Sequence, residues 1–144
     1  MGIREAQLND AKDISVLSSQ FGWQASADEI KTRLEIILKR PDHKIFVHQN
    51  DAGEVLGWIH AGVDIIVSSG QYGEVLAFVV REDVRGGGVG KALLMHAEQW
   101  IKEHACQPTS IVIRCNNDRP RTHAFYTRNG YAITMIGLRK RIVQ

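Results

Sequence analysis

A glycine cluster between an apolar segment and a helical pattern dominates the middle of the sequence. Residues 75–80 are apolar and rich in β-branched side chains, and residues 86–90 read Gly-Gly-Gly-Val-Gly. From Val89 to Trp100, apolar residues recur at spacings of three to four, as in an amphipathic helix. The first-turn N–H groups of such a helix lack helical acceptors, and with the helix dipole they can bind a phosphate. The sequence therefore predicts a strand, an anion-binding loop and a helix in succession.

Two familiar phosphate-binding motifs do not match this loop. The pattern GxxxxGK[ST] needs a glycine and a hydroxyl side chain where the chain has Arg85 and Ala92. The dinucleotide fingerprint GxGxxG, read from Gly86, needs a third glycine where the chain has Lys91. The loop does contain Arg-x-x-Gly-x-Gly, beginning at Arg85.

Length and composition indicate one soluble globular domain over residues 1–144. The chain has 144 residues, 44% of them hydrophobic and 24% charged, which is ordinary for such a domain. A net charge of +2 does not argue for a nucleic-acid or membrane partner, and no apolar run approaches the ~18 residues of a membrane span. The two cysteines show no metal or disulfide spacing. We expect a cytoplasmic protein without a metal site.

Hydrophobic periodicity and turn signals predict a mixed α/β fold with the order β-α-α-β-β-β-α-β-α-β-β. Tight turns make the early strands antiparallel, whereas the helix after strand 75–80 makes that strand parallel to the next one. The sheet should carry helices on both faces, with residues 64–72 as an irregular connection. Strands are expected at 3–7, 44–49, 55–63, 75–80, 110–115, 131–136 and 138–143, and helices at 11–22, 26–40, 89–104 and 121–128.

The Arg-x-x-Gly-x-Gly hexapeptide resembles motif A of the GNAT superfamily of N-acetyltransferases, which binds the pyrophosphate of coenzyme A. The predicted element order is also the GNAT order, so the resemblance covers essentially the whole chain. It implies acetyl-CoA as cosubstrate and a central strand that is bulged and splayed from its parallel neighbour, with the pantetheine arm between them. The implied cofactor-binding residues are Phe78, Val79, Val80, Arg85, Gly86, Gly87, Gly88, Val89, Gly90 and Lys91.

The resemblance also implies two catalytic residues and a further cofactor contact. Residues 123–131, HAFYTRNGY, look like the family's Phe-Tyr-x-x-x-Gly-Phe segment, in which the tyrosine, here Tyr126, protonates the leaving thiolate. Glu74 lies eleven residues before Arg85, where the histone acetyltransferase branch carries its general base. Asn116 or Asn117 corresponds to an asparagine that holds pantetheine, and we predict Asn117. The competing interpretations are a solvated Glu74 and a merely packed Tyr126.

A carboxylate and a backbone donor are what acetyl transfer to an amine requires. At neutral pH an amine is mostly protonated and cannot attack a thioester until a base removes a proton. A strand N–H can then stabilise the oxyanion that forms. On the acceptor side we predict Trp23, in the aromatic connection 21–25, together with His60 and Asp64. Structural roles for Trp23 and His60 are the alternatives.

These observations predict an N-acetyltransferase that moves an acetyl group from acetyl-CoA to the primary amine of a small molecule, by direct attack in a ternary complex. A protein or peptide N-acetyltransferase and a non-catalytic acyl-CoA-binding module are the alternatives, and the presence of both Glu74 and Tyr126 favours an enzyme. We expect a small-molecule amine as partner, with no nucleic acid and no membrane. A monomer and a homodimer both remain open.

Overall fold

The computed structural model describes residues 2–115 and 120–142, which fall into two compact units. The first unit ends at Ile113, and the second begins at Arg114. Asn116 and Asn117 lie outside the described residues. None of the helices in the described part of the chain combines the length and the apolar composition that crossing a membrane requires.

A five-stranded sheet with three α-helices makes up the first unit. Its elements are β1 (Gly2–Glu5), α1 (Ala11–Ser19), α2 (Ala27–Ile37), β2 (His43–Gln49), β3 (Val55–Ile66), β4 (Gly70–Val80), α3 (Val89–His104) and β5 (Ile111–Ile113). The strands lie in the sheet in chain order. The pairs from β1 to β4 are antiparallel, and β4 pairs with β5 in parallel, as predicted.

Side-chain hydrogen bonds fix the start of α2 and the turn that precedes α1. Ser26 and Glu29 form a capping box at the start of α2, with Glu29 N–H donating to Ser26 Oγ at 3.1 Å and Ser26 N–H donating to Glu29 Oε1 at 3.0 Å. Before α1, the carboxylate of Asp10 accepts from Arg4 at 2.8 Å and from Gln7 N–H at 2.7 Å. Burial alone would raise the pKa of Asp10, but these hydrogen bonds hold it below its usual value.

Helices cover both faces of the sheet, as predicted. On one face α3 packs closely because two strand residues lack side chains. A Cβ at Gly57 would come within 3.1 Å of Leu93 Cδ1, and one at Gly73 would overlap Ile101. On the other face, α1 and α2 pack on the sheet through an apolar cluster that includes Ile14, Leu17, Leu34, Ile45, Val47, Trp58 and Val79.

The hairpin between β3 and β4 is longer than the sequence pattern predicts. Residues 64–72 were expected to form an irregular connection, but β3 continues to Ile66 and β4 begins at Gly70. The ladder extends through Asp64 opposite Tyr72. The prediction was wrong here because each strand supplies backbone hydrogen bonds to the other, whereas exposed side chains at the tip leave no periodic hydrophobic signal.

The second unit contains one helix, α4 (Pro120–Arg128), within its described residues. It ends as predicted, at a glycine in the left-handed region: Gly130 has φ 95° and donates its N–H to Thr127 O at 3.2 Å, while Tyr131 N–H donates to Tyr126 O at 3.0 Å. The strands predicted at 131–136 and 138–143 do not occur over the described residues 131–142. A strand needs a neighbouring strand to complete its hydrogen-bonded ladder, and an alternating sequence pattern alone does not supply one.

Candidate active site

The pairing between the parallel strands β4 and β5 ends at a bulge in β4. Val75 and Ala77 face consecutive residues of β3, which leaves Leu76 as the extra residue. The register between β4 and β5 runs from Gly73 to Val75, so pairing stops where the bulge begins. The bulge in the central strand is what the sequence resemblance implies, and beyond it β4 makes no pairing with the described residues of β5.

Beyond the bulge, two residues of β4 direct their backbone groups away from β3. Arg81 N–H donates to Leu56 O on the β3 side at 2.8 Å. Because the direction of N–H groups alternates along a strand, Val79 also points its N–H toward β3, while Phe78 and Val80 point theirs the other way. The side chain of Val79 is 1% exposed and packs in the core. Phe78 and Val80 are therefore the two predicted residues whose backbone groups can reach a bound molecule.

The loop between β4 and α3 depends on glycines with positive φ. Gly86 has φ 85° and Gly88 has φ 92°, and Gly88 is the N-cap residue of α3. Side chains other than hydrogen are strained in this region of backbone conformation. A Cβ added at either glycine would meet no atom within 4 Å, so this side of the loop is open.

The first turn of α3 presents backbone donors at this open side. The N–H of Ala92 donates to Gly88 O at 3.0 Å, which is the first hydrogen bond of the helix. Gly87 N–H closes the loop by donating to Val84 O at 3.3 Å. No acidic residue occupies the first turn of the helix. The donors that precede the first helical bond are the N–H groups of Val89, Gly90 and Lys91.

Arg85 adds a guanidinium to the same loop. Its Nε donates to Val80 O at 3.3 Å, and its Cζ lies 4.6 Å from the centroid of the Phe21 ring. The side chain is exposed, and among the described residues its two Nη atoms have no acceptor. Helix-terminal N–H groups, an open glycine surface and a guanidinium together fit a diphosphate.

Glu74 lies on the sheet face opposite the one that α3 covers. It is 7% exposed and pairs directly with Gly62 of β3. A Cβ at Gly62 would lie 3.0 Å from Leu76 Cδ1 and 3.8 Å from His43 Nε2. Because directly opposed residues of an antiparallel pair share a face, Glu74 lies on the same face as these two side chains.

His60 forms a pair with His43, a residue that the sequence did not identify. His43 Nδ1 and His60 Nε2 lie 2.8 Å apart, so one ring must donate and the other accept. Burial, assisted by the charge of His43, lowers the pKa of His60 from 6.5 to about 4. His60 is therefore neutral at pH 7. Only the β2–β3 register brings the two rings together, and no sequence spacing signals it.

The free energy of unfolding should fall as the pH drops from about 6.5 to about 4. In the unfolded chain His60 takes up a proton near its ordinary pKa of 6.5, whereas its lowered pKa of about 4 delays protonation of the folded state. Protonation therefore favours unfolding across this window, by up to about 3 kcal/mol. Denaturant titrations at several pH values measure the effect. His60→Asn should flatten the pH dependence, and an unchanged dependence in the variant would contradict this interpretation.

The other predicted acceptor-side residues lie elsewhere on the first unit. Asp64 is exposed on β3, and its Oδ1 accepts from Ile65 N–H at 2.8 Å. Trp23 is 45% exposed in the connection between α1 and α2, with its ring centroid 6.4 Å from that of Phe21. It lines an open depression of about 400 Å³. Through Phe21, Trp23 is close to the loop that carries Arg85.

Tyr126 belongs to the second unit. It is 9% exposed, and its ring centroid lies 5.6 Å from that of Phe125 and 6.0 Å from that of Tyr131. Burial, together with the charge of Cys115, raises its pKa well above the ordinary value. The side chain therefore stays a protonated phenol throughout the neutral pH range.

Within residues 2–115 and 120–142, no group of three or more His, Cys, Asp or Glu side chains has the spacing of a metal site.

Comparison with protein families identifies the chain. The model of the acetyltransferase (GNAT) family matches residues 8–131. The chain belongs to the GNAT acetyltransferase family. The recognition made from the Arg-x-x-Gly-x-Gly loop is thereby confirmed, and acetyl transfer is the chemistry of this family. No curated protein sequence matches this acetyltransferase.

Solved structures share the fold over nearly the full length of this GNAT protein. A GNAT family acetyltransferase from Staphylococcus aureus is 23% identical, with a TM-score of 0.79, 99% of this chain covered and 100% of the other. Glucosamine-6-phosphate N-acetyltransferase from Arabidopsis thaliana is 22% identical, with a TM-score of 0.82 and 98% and 97% covered. A transcriptional regulator from Bacillus halodurans is 19% identical, with a TM-score of 0.87 and 97% and 98% covered. The TM-scores and coverages show the predicted mixed α/β GNAT fold, and identities this low carry no statement about the substrate.

Proposed function

We propose that this GNAT protein transfers the acetyl group of acetyl-CoA to the primary amine of a small molecule, by direct attack in a ternary complex. The observation that carries the proposal is the continuity between two features of the first unit. The diphosphate-fitting loop follows directly on the half of β4 that lies beyond the bulge and beyond the pairing with β5. Glu74 lies two residues before the bulge, on the same strand.

The cofactor is expected to lie along this path. The N–H groups of Val89, Gly90 and Lys91 and the guanidinium of Arg85 would bind its pyrophosphate. The backbone groups of Phe78 and Val80 would bind the pantetheine arm as an added strand does. When bound, acetyl-CoA supplies an activated acetyl thioester.

The protein's own groups handle the protons and the developing charge. Glu74 removes a proton from the ammonium form of the acceptor, directly or through a water, so that the amine can attack the carbonyl carbon. The Phe78 N–H is aimed at the edge where the oxyanion forms and donates to it. As the C–S bond breaks, Tyr126 donates a hydrogen bond to the sulfur, and the second proton that the attacking nitrogen loses passes through solvent to the departing thiolate. The raised pKa of Tyr126 favours hydrogen-bond donation over complete transfer, which suits a thiolate that already leaves readily.

A small acceptor is supported by the contacts that the α1–α2 connection makes with the loop. Gln20 Oε1 accepts from Glu82 N–H at 3.3 Å, and the Phe21 ring lies under Arg85. These contacts hold the connection against the loop, and we infer that they narrow the acceptor side. The Arabidopsis structural neighbour is named for a small amino sugar, which agrees with this assignment.

A panel of acceptors with detection of released thiol tests the proposal. The panel contains small primary amines, amino sugars, and peptides with a free α-amine or a lysine. Thiol release with a small amine, and acetylated product by mass spectrometry, is the expected result. Release with peptides alone would favour a protein acetyltransferase. Binding of acetyl-CoA without turnover on any acceptor would favour a non-catalytic acyl-CoA-binding module.

Trp23→Ala should raise KM for the amine and leave KM for acetyl-CoA nearly unchanged. The reason is that Trp23 is exposed beside the proposed acceptor side, whereas the proposed cofactor donors are backbone groups elsewhere. Steady-state kinetics with each substrate varied in turn measure both constants. Trp100→Ala is the matched control, since that ring stacks on His104 within α3. Wild-type values of both constants in Trp23→Ala would make Trp23 structural.

Tyr126→Phe should lower kcat by about tenfold, a barrier change of about 1.4 kcal/mol. The loss is modest because the thiolate is already a good leaving group, and high pH should not restore it. The raised pKa of Tyr126 keeps the wild-type phenol protonated over the accessible pH range. Single-turnover rates across that range measure the effect, with Tyr72→Phe as control. A loss that disappears at high pH would contradict the assigned role.

A further inference from the structure

We propose that Phe21 is a positioning residue for Arg85 and holds its guanidinium at the diphosphate-binding loop. The inference rests on the proposed acetyl-CoA function, which it deepens. It adds a residue from the α1–α2 connection to the machinery that binds the cofactor.

Two contacts fix the Arg85 side chain in place. Its Nε donates to Val80 O at 3.3 Å, and its Cζ lies 4.6 Å from the centroid of the Phe21 ring. A guanidinium at this distance is attracted by the face of an aromatic ring. The pair of contacts restrains a long side chain that is otherwise exposed and free to rotate.

The contact with Phe21 leaves the phosphate-binding groups of the guanidinium available. A cation–π attraction takes up no hydrogen-bond acceptor, whereas bidentate binding of a phosphate uses the guanidinium N–H groups. Only Nε is engaged, and among the described residues the Nη atoms have no acceptor. The nearby carboxylate of Asp83 is paired instead with Arg81, at 2.6 Å from Arg81 Nε. The side chain of Arg85 is therefore held in one orientation, and no described carboxylate neutralises its positive charge.

Phe21 is itself held at a fixed position relative to the loop. Its neighbour Gln20 accepts from Glu82 N–H at 3.3 Å, three residues before Arg85. Phe21 N–H also donates to Ser18 O at 3.0 Å, which continues the last turn of α1. The connection therefore meets the loop at two points, and the ring acts as a platform rather than as a mobile side chain.

Calorimetric titration with acetyl-CoA tests the proposal. Phe21→Leu, which keeps an apolar side chain but removes the ring, should raise Kd by about three- to tenfold, the range expected for loss of a cation–π contact. Phe21→Tyr keeps the ring face and should bind as the wild type does. In an Arg85→Ala background, Phe21→Leu should add no further loss, because the two residues act through one contact. Val16→Ala, an exposed change on α1, is the control for the helix.

A cosubstrate without the pyrophosphate separates positioning from general disturbance of the fold. KM for S-acetylpantetheine should be the same in Phe21→Leu and the wild type, since this molecule has nothing for Arg85 to bind. A Phe21→Leu protein that binds acetyl-CoA as tightly as the wild type, or more tightly, would overturn the proposal. So would equal losses with both cosubstrates.

A measurement without any ligand keeps this proposal distinguishable from the proposed function. The Arg85 side-chain proton resonances should be shifted upfield by the Phe21 ring in wild-type protein and should lose that shift in Phe21→Leu. If the shift is present but acetyl-CoA does not bind, the proposed function fails, and the positioning role fails with it. If acetyl-CoA binds but no shift is seen, only the positioning role fails.

Discussion

Glu74→Gln is expected to lower kcat/KM by about 10²- to 10⁴-fold at neutral pH, the range over which general bases contribute. The substitution keeps the size and hydrogen-bonding capacity of a side chain that is 7% exposed, and it removes only the ability to accept a proton. The loss should shrink as the pH rises, because solution then supplies the free amine. KM for acetyl-CoA should stay near the wild-type value, since proton removal is not part of ground-state binding.

The pH–rate profile decides whether Glu74 is the base. Glu35→Gln, at an exposed position of α2, is the matched control and should keep the wild-type profile. If Glu74→Gln also keeps it, the base lies elsewhere. His60 and Asp64 are then the next groups to test, by substitution with Asn. Burial lowers the pKa of His60 to about 4, so it is a weaker base than an ordinary histidine.

Gly88→Val should weaken acetyl-CoA binding by at least about 100-fold, which corresponds to about 3 kcal/mol. A branched side chain would fill the open space that the pyrophosphate is proposed to occupy, and it would separate the ligand from the N–H groups of the first turn of α3. Loss of one or two hydrogen bonds to a charged group accounts for an effect of this size. Calorimetry on the folded variant measures it.

Backbone strain must be separated from lost binding in this experiment. Gly88 has φ 92°, so valine there is strained even without a ligand. Gly53, in the turn between β2 and β3, has φ 84°, and a Cβ there meets only Gln49 Nε2 at 3.8 Å. Gly53→Val therefore reproduces the strain away from the loop and should leave Kd for acetyl-CoA unchanged. Equal Kd values for Gly88→Val and the wild type would mean that the diphosphate does not bind at this loop.

The parts of the fold that the sequence predicted are those with a local physical cause. The capping box that starts α2 joins Ser26 and Glu29, which are only three positions apart in one helical turn. Gly130 ends α4 because the left-handed region of backbone conformation favours glycine. The glycine loop could be predicted from the sequence for the same reason. Its two residues with positive φ and the first turn of α3 are close neighbours in the chain.

The parts that the sequence did not predict depend on partners distant in the chain. The tip of the β3–β4 hairpin is exposed, and its strands exist because each supplies hydrogen bonds to the other. His43 and His60 meet only through the register between β2 and β3. Conversely, the alternation in residues 131–142 indicated strands where the structure describes none. Pairing in a sheet is a property of two segments, so a periodicity in one of them can mislead in either direction.

The contact between Arg85 and Phe21 could not be predicted from the sequence for a similar reason. Arg85 lies in the glycine loop and Phe21 in the aromatic connection 21–25, and nothing in either segment indicates that the ring centroid lies 4.6 Å from the guanidinium carbon. The orientation of the β4 backbone also needed the structure. It distinguishes Phe78 and Val80 from Val79, which the sequence treated alike.

Amide chemical-shift changes on titration with acetyl-CoA test the location of the cofactor site most directly. The largest changes should fall on the amides of Val80, Val89, Gly90 and Lys91, while the amide of Val79, directed toward β3, should change little. Gly53 serves as a distant reference on the same unit. Changes centred instead on the depression beside Trp23, or no changes at saturating acetyl-CoA, would contradict the proposed site.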